Sequence, residues 1–361
     1  MAKNILITGG CGFIGSSFIN TTFESFMNKC NIVVLDNLSN CSGISSIEKH
    51  IRNSNRFTFI NGDFGNSELV LKLLRKHTIT HILNLAVTSY QPKTLGNPVH
   101  YVNNNILNTT KFLQACHEYG KLKKIVHLTS FLINNAMKSV DRNVKNEYID
   151  EYLVTKSCSL QVITMYRDTY KLPIVIGFGS DIFGETQCPL APVLDYALEL
   201  HTNGHIKINS NSDRSLNYVY ISDAVNAIVA IFEKGTIGMS YNIVDKNACH
   251  TDMQVAKMMV NHHFGLSPES KHNDYSKYIR EKNGIKMHFE QCPDDNLELK
   301  KLGWSPKIGG NSGLKRVMDF YNSEDGAKVV DRFVKLTKHT FSKKNKTVNN
   351  RKKHKLTKRK K

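Results

Sequence analysis

The sequence contains no uninterrupted apolar run of the roughly 18 residues that a membrane-spanning helix requires. Its eight cysteines and fifteen histidines are scattered, without a C-x-x-C pair or a cluster at metal-ligand spacing. The first residues also lack the charged start, apolar stretch and cleavage site of a signal peptide. We therefore expect a soluble chain with reduced thiols, located in the cytoplasm, with neither a metal site nor a membrane contact.

Acidic residues are absent from the C-terminal end of the chain. The formal net charge is +18, and residues 343–361 alone hold 11 Lys or Arg and no Asp or Glu. With almost no apolar residues to bury, the segment 340–361 is predicted to be a disordered basic tail. Such a tail can contact nucleic acid or the nuclear import machinery, which would place the protein in the nucleus. It can equally be a solvated solubility tail, and both interpretations stay open.

Short β-branched runs alternate with longer amphipathic stretches in the first half of the chain, which is typical of an α/β fold. Parallel strands need crossover helices, so we predict a doubly wound parallel sheet with helices on both faces. The pattern loosens after residue 184. We therefore expect one domain over residues 1–184 and a smaller lobe over 185–325, some segments of which can return to the first domain. The predicted strands of the sheet are 4–8, 31–36, 57–61, 81–86, 124–129 and 173–178.

A glycine motif lies directly after the first predicted strand and before a helix. Gly9, Gly12 and Gly15 have G-x-x-G-x-x-G spacing. Gly9 would allow a tight turn, Gly12 a close approach to a pyrophosphate, and Gly15 the packing of helix on strand. The N–H groups of Phe13 and Ile14 would then face the phosphates at the helix N-terminus. This pattern predicts a Rossmann-type dinucleotide-binding domain.

An acidic residue ends the second predicted strand. Asp36 stands 21 residues after Gly15, where a carboxylate can accept hydrogen bonds from the adenosine ribose hydroxyls. A carboxylate there would repel a 2′-phosphate. The predicted cofactor is therefore NAD rather than NADP.

Tyr152 and Lys156 form a Y-x-x-x-K pattern in a predicted helix over residues 147–170. Positions four apart share a helical face, and a lysine ammonium near a tyrosine favours the phenolate. Thr129 and Ser130, at the end of the fifth predicted strand, offer hydroxyls that can orient a substrate alcohol. Together these residue types suit removal of a proton from a sugar or alcohol hydroxyl.

With these motifs in order, the chain resembles the extended short-chain dehydrogenase/reductases, and within them the dTDP-glucose 4,6-dehydratases, over residues 3–320. The resemblance implies NAD as cofactor, an adenine contact for Asp63, cofactor contacts for Ala86 and Asn105, and a catalytic triad of Ser130, Tyr152 and Lys156. Further landmarks that carry the resemblance are Gly62-Asp63, Asn84-Leu85-Ala86, Asn105, residues 170–176, Tyr241-Asn242-Ile243 and residues 302–307.

The resemblance also implies a chemistry, in which the triad oxidises the 4-hydroxyl of a dTDP- or UDP-hexose. A dehydratase of this family then uses an Asp-Glu pair directly after the triad Ser, but here those positions are Phe131 and Leu132. Charged positions of the family's substrate lobe are replaced as well, and only Arg214 could substitute for one of them. The replaced positions are Leu190, Ala191, Leu216 and Gln291.

Three kinds of function remain open on the sequence. The first is an active 4-oxidoreductase, 4-epimerase or dehydratase. The second is a catalytically decayed relative that still binds NAD. The third, a nucleic-acid-associated protein that acts through its basic tail, is the least favoured because the tail contains no recognisable nucleic-acid module. The resemblance further implies a homodimer, with apolar positions in 99–117 and 148–170 at its interface.

Overall fold

The structure, a computed structural model, describes residues 3–39, 42–89, 97–133, 151–188, 191–210, 212–270, 273–283, 287–291 and 296–330. At residues 212–213 and 287–291 it describes the backbone alone. The predicted basic tail, 340–361, lies outside the described residues. So do residues 147–150 of the predicted Tyr-Lys helix, and Leu190 of the substrate lobe.

A seven-stranded parallel sheet forms the centre of the described chain. Its spatial order is β10-β6-β5-β4-β1-β2-β3. From β1 the next two strands are added on one side, and β4 and the later strands are added on the other side, so the strand order reverses between β1 and β4. This order is the Rossmann arrangement, and the predicted fold class is confirmed. The strands are β1 (Asn4–Thr8), β2 (Asn31–Asp36), β3 (Phe57–Asn61), β4 (His81–Asn84), β5 (Lys124–Ser130), β6 (Ile174–Gly179) and β10 (Ser240–Ile243).

The strands of the sheet are apolar on both sides, and helices bury both faces. The core on one face joins Ile5, Ile7 and Val34 to α1 and α8. The core on the other face joins Leu6, Val33 and Ile82 to α3, α5 and α6. The helices of the large domain are α1 (Phe13–Thr22), α2 (Lys49–Arg52), α3 (Ser67–Lys76), α4 (Pro98–Tyr101), a π-helix (Val102–Asn108), α5 (Thr109–Tyr119), α6 (Glu151–Asp168) and, later in the chain, α8 (Ile221–Lys234). A 3-10 turn spans Ile44–Ser46.

The smaller lobe is built on short sheets beside the carboxyl edge of the large one. Its strands are β7 (Asp181–Phe183), β8 (Ile206–Asn209), β9 (Ser212–Tyr220), β11 (Cys249–Thr251), β12 (Ile279–Lys282) and β13 (Met287–Gln291). Its helices are α7 (Pro192–Asn203), α9 (Asp252–Phe264), α10 (Leu297–Lys301) and α11 (Gly310–Tyr321), with a 3-10 turn at Tyr275–Lys277. Segment 221–243 returns to the large domain, where β10 pairs with β6.

Asp223 contributes to the contact between the smaller lobe and the large domain. Asp223, in the first turn of α8, accepts the Ile308 N–H at 2.8 Å, and its backbone carbonyl accepts the Trp304 indole N–H at 3.0 Å. Trp304 is buried by this contact. The Leu-Gly-Trp segment near residue 303 therefore lies against the beginning of α8.

The cysteines are not all reduced. Cys11, Cys30, Cys116 and Cys158 are free. Cys188 and Cys249, in the smaller lobe, are disulfide-bonded. The expectation of reduced thiols throughout is therefore wrong at these two positions, whose separation in sequence gave no spacing signal.

The described ranges, 3–39, 42–89, 97–133, 151–188, 191–210, 212–270, 273–283, 287–291 and 296–330, lack two further kinds of feature. In this part of the chain no helix combines the length and the apolar character needed to cross a membrane. The same ranges contain no group of three or more His, Cys, Asp or Glu side chains arranged to hold a metal ion.

Candidate active site

The turn between β1 and α1 has room for glycine alone at two positions. Gly9 adopts a φ of 68°, and a Cβ there would lie 2.9 Å from the Ala86 backbone nitrogen. At Gly15 a Cβ would lie 2.5 Å from the Gly9 carbonyl oxygen. Gly12 is less confined, since its Cβ would meet only that same oxygen, at 3.3 Å. Its side therefore stays open for a ligand, whereas Gly9 and Gly15 are required by the turn itself.

Helix α1 begins at this turn and presents unused donors. Gly12 is its N-cap, without a side-chain hydrogen bond, and the first turn contains no acidic residue. The first N–H groups of a helix have no partner within the helix, so those of Phe13 and Ile14 can bind an anion. The ring of Phe13 also approaches Gly184 of the smaller lobe, where a Cβ would lie 3.3 Å from it.

Asp36 binds the backbone of the glycine turn through its carboxylate. Its carboxylate accepts the Cys11 N–H at 2.9 Å and the Leu38 N–H at 2.8 Å, with the Ser42 hydroxyl at 3.2 Å. The side chain is 6% exposed. Asp36 thus stands where the sequence predicted a ribose ligand, and it also holds the glycine turn in place, which the sequence did not indicate.

Asp63 and Asn105 both stabilise neighbouring segments. Asp63 accepts the Gly65 N–H at 2.7 Å and the Asn108 amide at 3.1 Å. Asn105, in the π-helix, binds both backbone groups of Thr88 at 2.9 and 3.1 Å and donates to the Thr155 hydroxyl at 3.1 Å. Asn105 therefore joins the loop after β4 to the helix that holds Lys156. π-Helical segments occur frequently at functional sites.

The triad candidates lie at the carboxyl end of β5 and at the beginning of α6. The Ser130 hydroxyl accepts the Leu132 N–H at 3.2 Å. Tyr152 is half-buried, and Lys156, one turn further, is only 4% exposed. Burial lowers the pKa of Lys156 to about 8. Burial, and after it the charge of Lys156, lowers the pKa of His127, which lies on β5 three residues before Ser130.

Two apolar side chains follow Ser130. Phe131 donates its N–H to the Gly179 carbonyl at 2.9 Å, and Leu132 packs partly buried against the core. Neither residue can donate or accept a proton through its side chain. These two positions therefore offer no general acid or base to the site.

His127, on β5, is a buried polar residue that the sequence did not predict to belong to the site. His127 is 5% exposed, and its Nδ1 lies 2.9 Å from the Asn84 amide nitrogen. Asn84 in turn accepts the Thr8 hydroxyl at 2.6 Å. An isolated polar residue within an apolar strand was the available signal, since residues 124–130 read KIVHLTS.

One buried ion pair lies within the smaller lobe. The Arg214 Nε lies 2.9 and 2.7 Å from the two carboxylate oxygens of Asp252, and both side chains are largely buried. The Asp252 carboxylate holds the pKa of Arg214 above its ordinary value. Leu216, two residues on, is buried in the core. Arg214 therefore binds a residue of this chain. A second acidic residue of the lobe, Asp181, lies nearby, and burial raises its pKa to about 6.

Known proteins with similar sequences act on nucleotide sugars. A trifunctional protein of Arabidopsis thaliana with UDP-glucose 4,6-dehydratase, 3,5-epimerase and reductase activities is 28% identical over 325 residues, which is 88% of this chain and 47% of that protein. The chain thus spans about half the length of that relative. The human dTDP-D-glucose 4,6-dehydratase is 26% identical over 322 residues, 89% of this chain and 90% of the human protein.

The fold has close counterparts among solved structures. A dTDP-glucose 4,6-dehydratase from Streptomyces venezuelae, solved with NAD, superimposes with a TM-score of 0.76 at 20% identity, covering 90% of this chain and 98% of that one. The family model described as GDP-mannose 4,6 dehydratase matches residues 6–317. That match spans both the large domain and the smaller lobe, and the chain therefore belongs to the GDP-mannose 4,6 dehydratase family.

Proposed function

We propose that the protein is an NAD-dependent enzyme that oxidises the 4-hydroxyl of a nucleotide-linked hexose. One observation carries this proposal: a buried lysine with a lowered pKa lies one helical turn after Tyr152. Strand β5, which ends at Ser130, ends at the same sheet edge as the glycine turn. In doubly wound sheets, ligands bind at this carboxyl edge where the strand order reverses. The activities of the relatives, all on nucleotide sugars, support the same substrate class.

The residues of the glycine turn fit a dinucleotide. Gly12 is open on the side of the free α1 N–H groups, as close approach of a pyrophosphate requires. The Asp36 carboxylate retains lone pairs that can accept the ribose hydroxyls, and it favours NAD over its 2′-phosphorylated form. Asp63 and Ala86 border the adjacent strand ends and are proposed cofactor contacts. Asn105 is proposed to act by holding the loop that contains Thr88.

The triad residues divide the chemistry of the proposed oxidation. NAD supplies the hydride acceptor when it is bound. Ser130 orients the sugar hydroxyl, and Tyr152 removes its proton. Lys156, as an ammonium, stabilises the Tyr152 phenolate and holds the nicotinamide ribose. The product of this step is a 4-keto sugar.

Dehydration is not supported by the residues that follow Ser130. Elimination of water across C5 and C6 needs a base and an acid, and Phe131 and Leu132 provide neither. Each positioned acid or base typically contributes about 10² to 10⁴ in rate. A 4-epimerase or a 4-oxidoreductase needs only the triad, and we favour these over a dehydratase.

The test is a direct search for product. Purified protein would be examined for bound NAD, then incubated separately with dTDP-glucose and with UDP-hexoses. Mass spectrometry would follow the sugar, and absorbance would follow NADH. We expect a 4-keto sugar or its epimer without loss of water. A product lighter by one water would contradict the exclusion of dehydration, and bound NAD without any product would favour a decayed enzyme.

We also propose that two copies of the chain pair through α6 and the segment before α5. Val99 and Val102 on one segment, and Val154 and Met165 on the other, are 42–66% exposed although apolar. Exposed apolar side chains on adjoining helices indicate a protein interface. Sedimentation should give twice the chain mass, and Met165→Lys should give a monomer. Ile237→Lys, at an exposed apolar site outside this surface, is the matched control.

The basic tail is proposed to direct the protein to the nucleus, since 11 Lys or Arg lie within residues 343–361. A fluorescent fusion of the full chain would be compared with one that ends at residue 342. Loss of nuclear signal on truncation is the expected result. An unchanged distribution would leave the tail as a solubility element in a cytoplasmic enzyme.

A further inference from the structure

A row of buried polar side chains crosses three strands of the large sheet. Thr8 pairs in register with Asn84, and Asn84 with His127, on β1, β4 and β5. The Thr8 hydroxyl donates to the Asn84 carbonyl oxygen at 2.6 Å, and the Asn84 amide reaches His127 Nδ1 at 2.9 Å. The row therefore runs from the residue before the glycine turn to the strand that ends at Ser130.

The row fixes the tautomer of His127. The Ala86 N–H donates to the Thr8 hydroxyl at 3.4 Å, and the hydroxyl donates its own hydrogen bond to the Asn84 side-chain oxygen at 2.6 Å. The Asn84 amide is thus the donor to His127 Nδ1, and the ring carries its proton on Nε2. Burial and the charge of Lys156 hold the pKa of His127 well below its ordinary value, so the ring is neutral.

The end of the row is an unused donor. Among the residues that the structure describes, His127 Nε2 is buried and has no hydrogen-bond partner. The same holds for the hydroxyl of Thr129, which lies two residues further along β5 and therefore on the same face. A buried donor without a partner is unfavourable by about 1–3 kcal/mol. Helix α6, which contains Lys156, packs on this face of the sheet, where Ile125 of β5 and Ile163 of α6 belong to one core. Burial and the charge of Lys156 lower the pKa of His127. Two unpartnered groups on the face that α6 covers indicate that a small polar molecule joins them.

We propose that His127 is a positioning residue: with Thr129 it holds one water molecule against the Lys156 ammonium, which keeps the ammonium charged and directed at the cofactor ribose. One water has the hydrogen-bonding capacity for all three groups. Its two lone pairs accept from His127 Nε2 and Lys156 Nζ, and one of its protons goes to the Thr129 oxygen. A buried water usually makes two to four such bonds. This inference rests on the proposed function in one respect: the cofactor ribose that the Lys156 ammonium holds is part of that function.

Few other groups can influence Lys156. Tyr152 faces it from its own helix, His127 from β5, and the neutral Asn105 side chain lies on the packed π-helix. In the described part of the chain, burial alone accounts for the lowered pKa of Lys156, with no contribution from a neighbouring charge. We therefore expect removal of the proposed water to lower the pKa of Lys156 further.

Two variants of His127 separate its two nitrogens. His127→Asn keeps an acceptor near the position of Nδ1 for Asn84 but removes the deeper donor. His127→Gln places an amide N–H near the position of Nε2. Lys156 would be titrated by NMR in the full chain with ¹³C-labelled lysine, and Lys156→Arg would assign its signal. This readout needs neither substrate nor NAD.

We expect His127→Asn to lower the proton affinity of Lys156 roughly tenfold, as for loss of one hydrogen bond to a charged group. His127→Gln should restore most of the affinity. Thr129→Val should act in the same direction with a smaller effect, and it provides the test if His127→Asn fails to fold. A purely structural role would lower the melting temperature of both His127 variants without separating their Lys156 titrations.

An unchanged titration in His127→Asn, or equal shifts in the Asn and Gln variants, would overturn the inference. Failure of the proposed function would look different, because the protein would then form no 4-keto sugar, with or without bound NAD, while Lys156 still responded to His127→Asn. If NAD binds, the affinity for NAD at alkaline pH should fall in His127→Asn, since a neutral Lys156 no longer holds the ribose.

Discussion

Each half of the molecule contains a buried cation, and the two cations differ in their partners. In the large domain, Lys156 is buried, and among the described residues no carboxylate influences its pKa. In the smaller lobe, Arg214 is buried too, but Asp252 binds it through both carboxylate oxygens. The Lys156 ammonium is therefore available to a bound ligand, whereas the Arg214 guanidinium is paired within the chain. We expect substitutions at these two cations to separate cofactor binding from the stability of the fold.

The largest effect should come from the cofactor half. Tyr152→Phe removes the proton acceptor of the proposed oxidation, and we expect the rate of 4-keto sugar formation to fall by about 10² to 10⁴. NAD binding, measured by calorimetry, should change little. Tyr170→Phe, at an exposed position after the same helix, is the matched control. An unchanged rate in Tyr152→Phe would remove its assigned role.

The next effect tests whether the lobe's buried charge is structural. Arg214→Met leaves Asp252 buried without its partner, so we expect a loss of about 3–5 kcal/mol in the free energy of unfolding. Urea titration would measure it. The affinity for NAD should stay as in the wild type. A stable variant that binds substrate poorly would instead make Arg214 a substrate ligand.

Two glycines of one turn should behave differently. Gly15→Ala places a Cβ 2.5 Å from the Gly9 carbonyl oxygen, so we expect a loss of about 1–3 kcal/mol in stability. Gly12→Ala meets that oxygen at 3.3 Å and should leave the melting temperature almost unchanged while it weakens NAD binding. Thermal unfolding and calorimetry on both variants would check this. Equal melting temperatures for the two would contradict the geometry.

The smallest effect concerns Asp181 in the lobe. Burial raises its pKa from the ordinary 3.8 to about 6, so the folded state prefers the protonated form. Above that pKa the buried carboxylate destabilises the fold, and below the unfolded pKa it does not. Asp181→Asn should therefore stabilise the protein by about 1–2 kcal/mol at neutral pH, and the gain should vanish in acid. Urea titrations at several pH values would measure the difference in the free energy of unfolding between Asp181→Asn and the wild type. A difference that stays constant with pH would contradict the assignment to Asp181.

The sequence predicted the large domain better than the lobe, for physical reasons. Each strand of a parallel sheet is a short apolar run, and Gly9 and Asp36 have local roles that spacing reveals. The pairing of Arg214 with Asp252 depends on strand β9 meeting helix α9, which are distant in sequence. The role of His127 likewise depends on the register of three strands. Cys188 and Cys249 were missed because nothing local marks them as oxidised.

The return of β10 to the large sheet has a consequence for any attempt to divide the protein. Helix α8 and β10 come from beyond residue 184, yet Phe232 of α8 packs its ring 5.6 Å from that of Phe26, in the N-terminal third of the chain. A fragment that stops at residue 184 would expose this apolar face and leave β6 as an unprotected edge. Such a fragment should aggregate. The two halves therefore have to be expressed and folded as one unit.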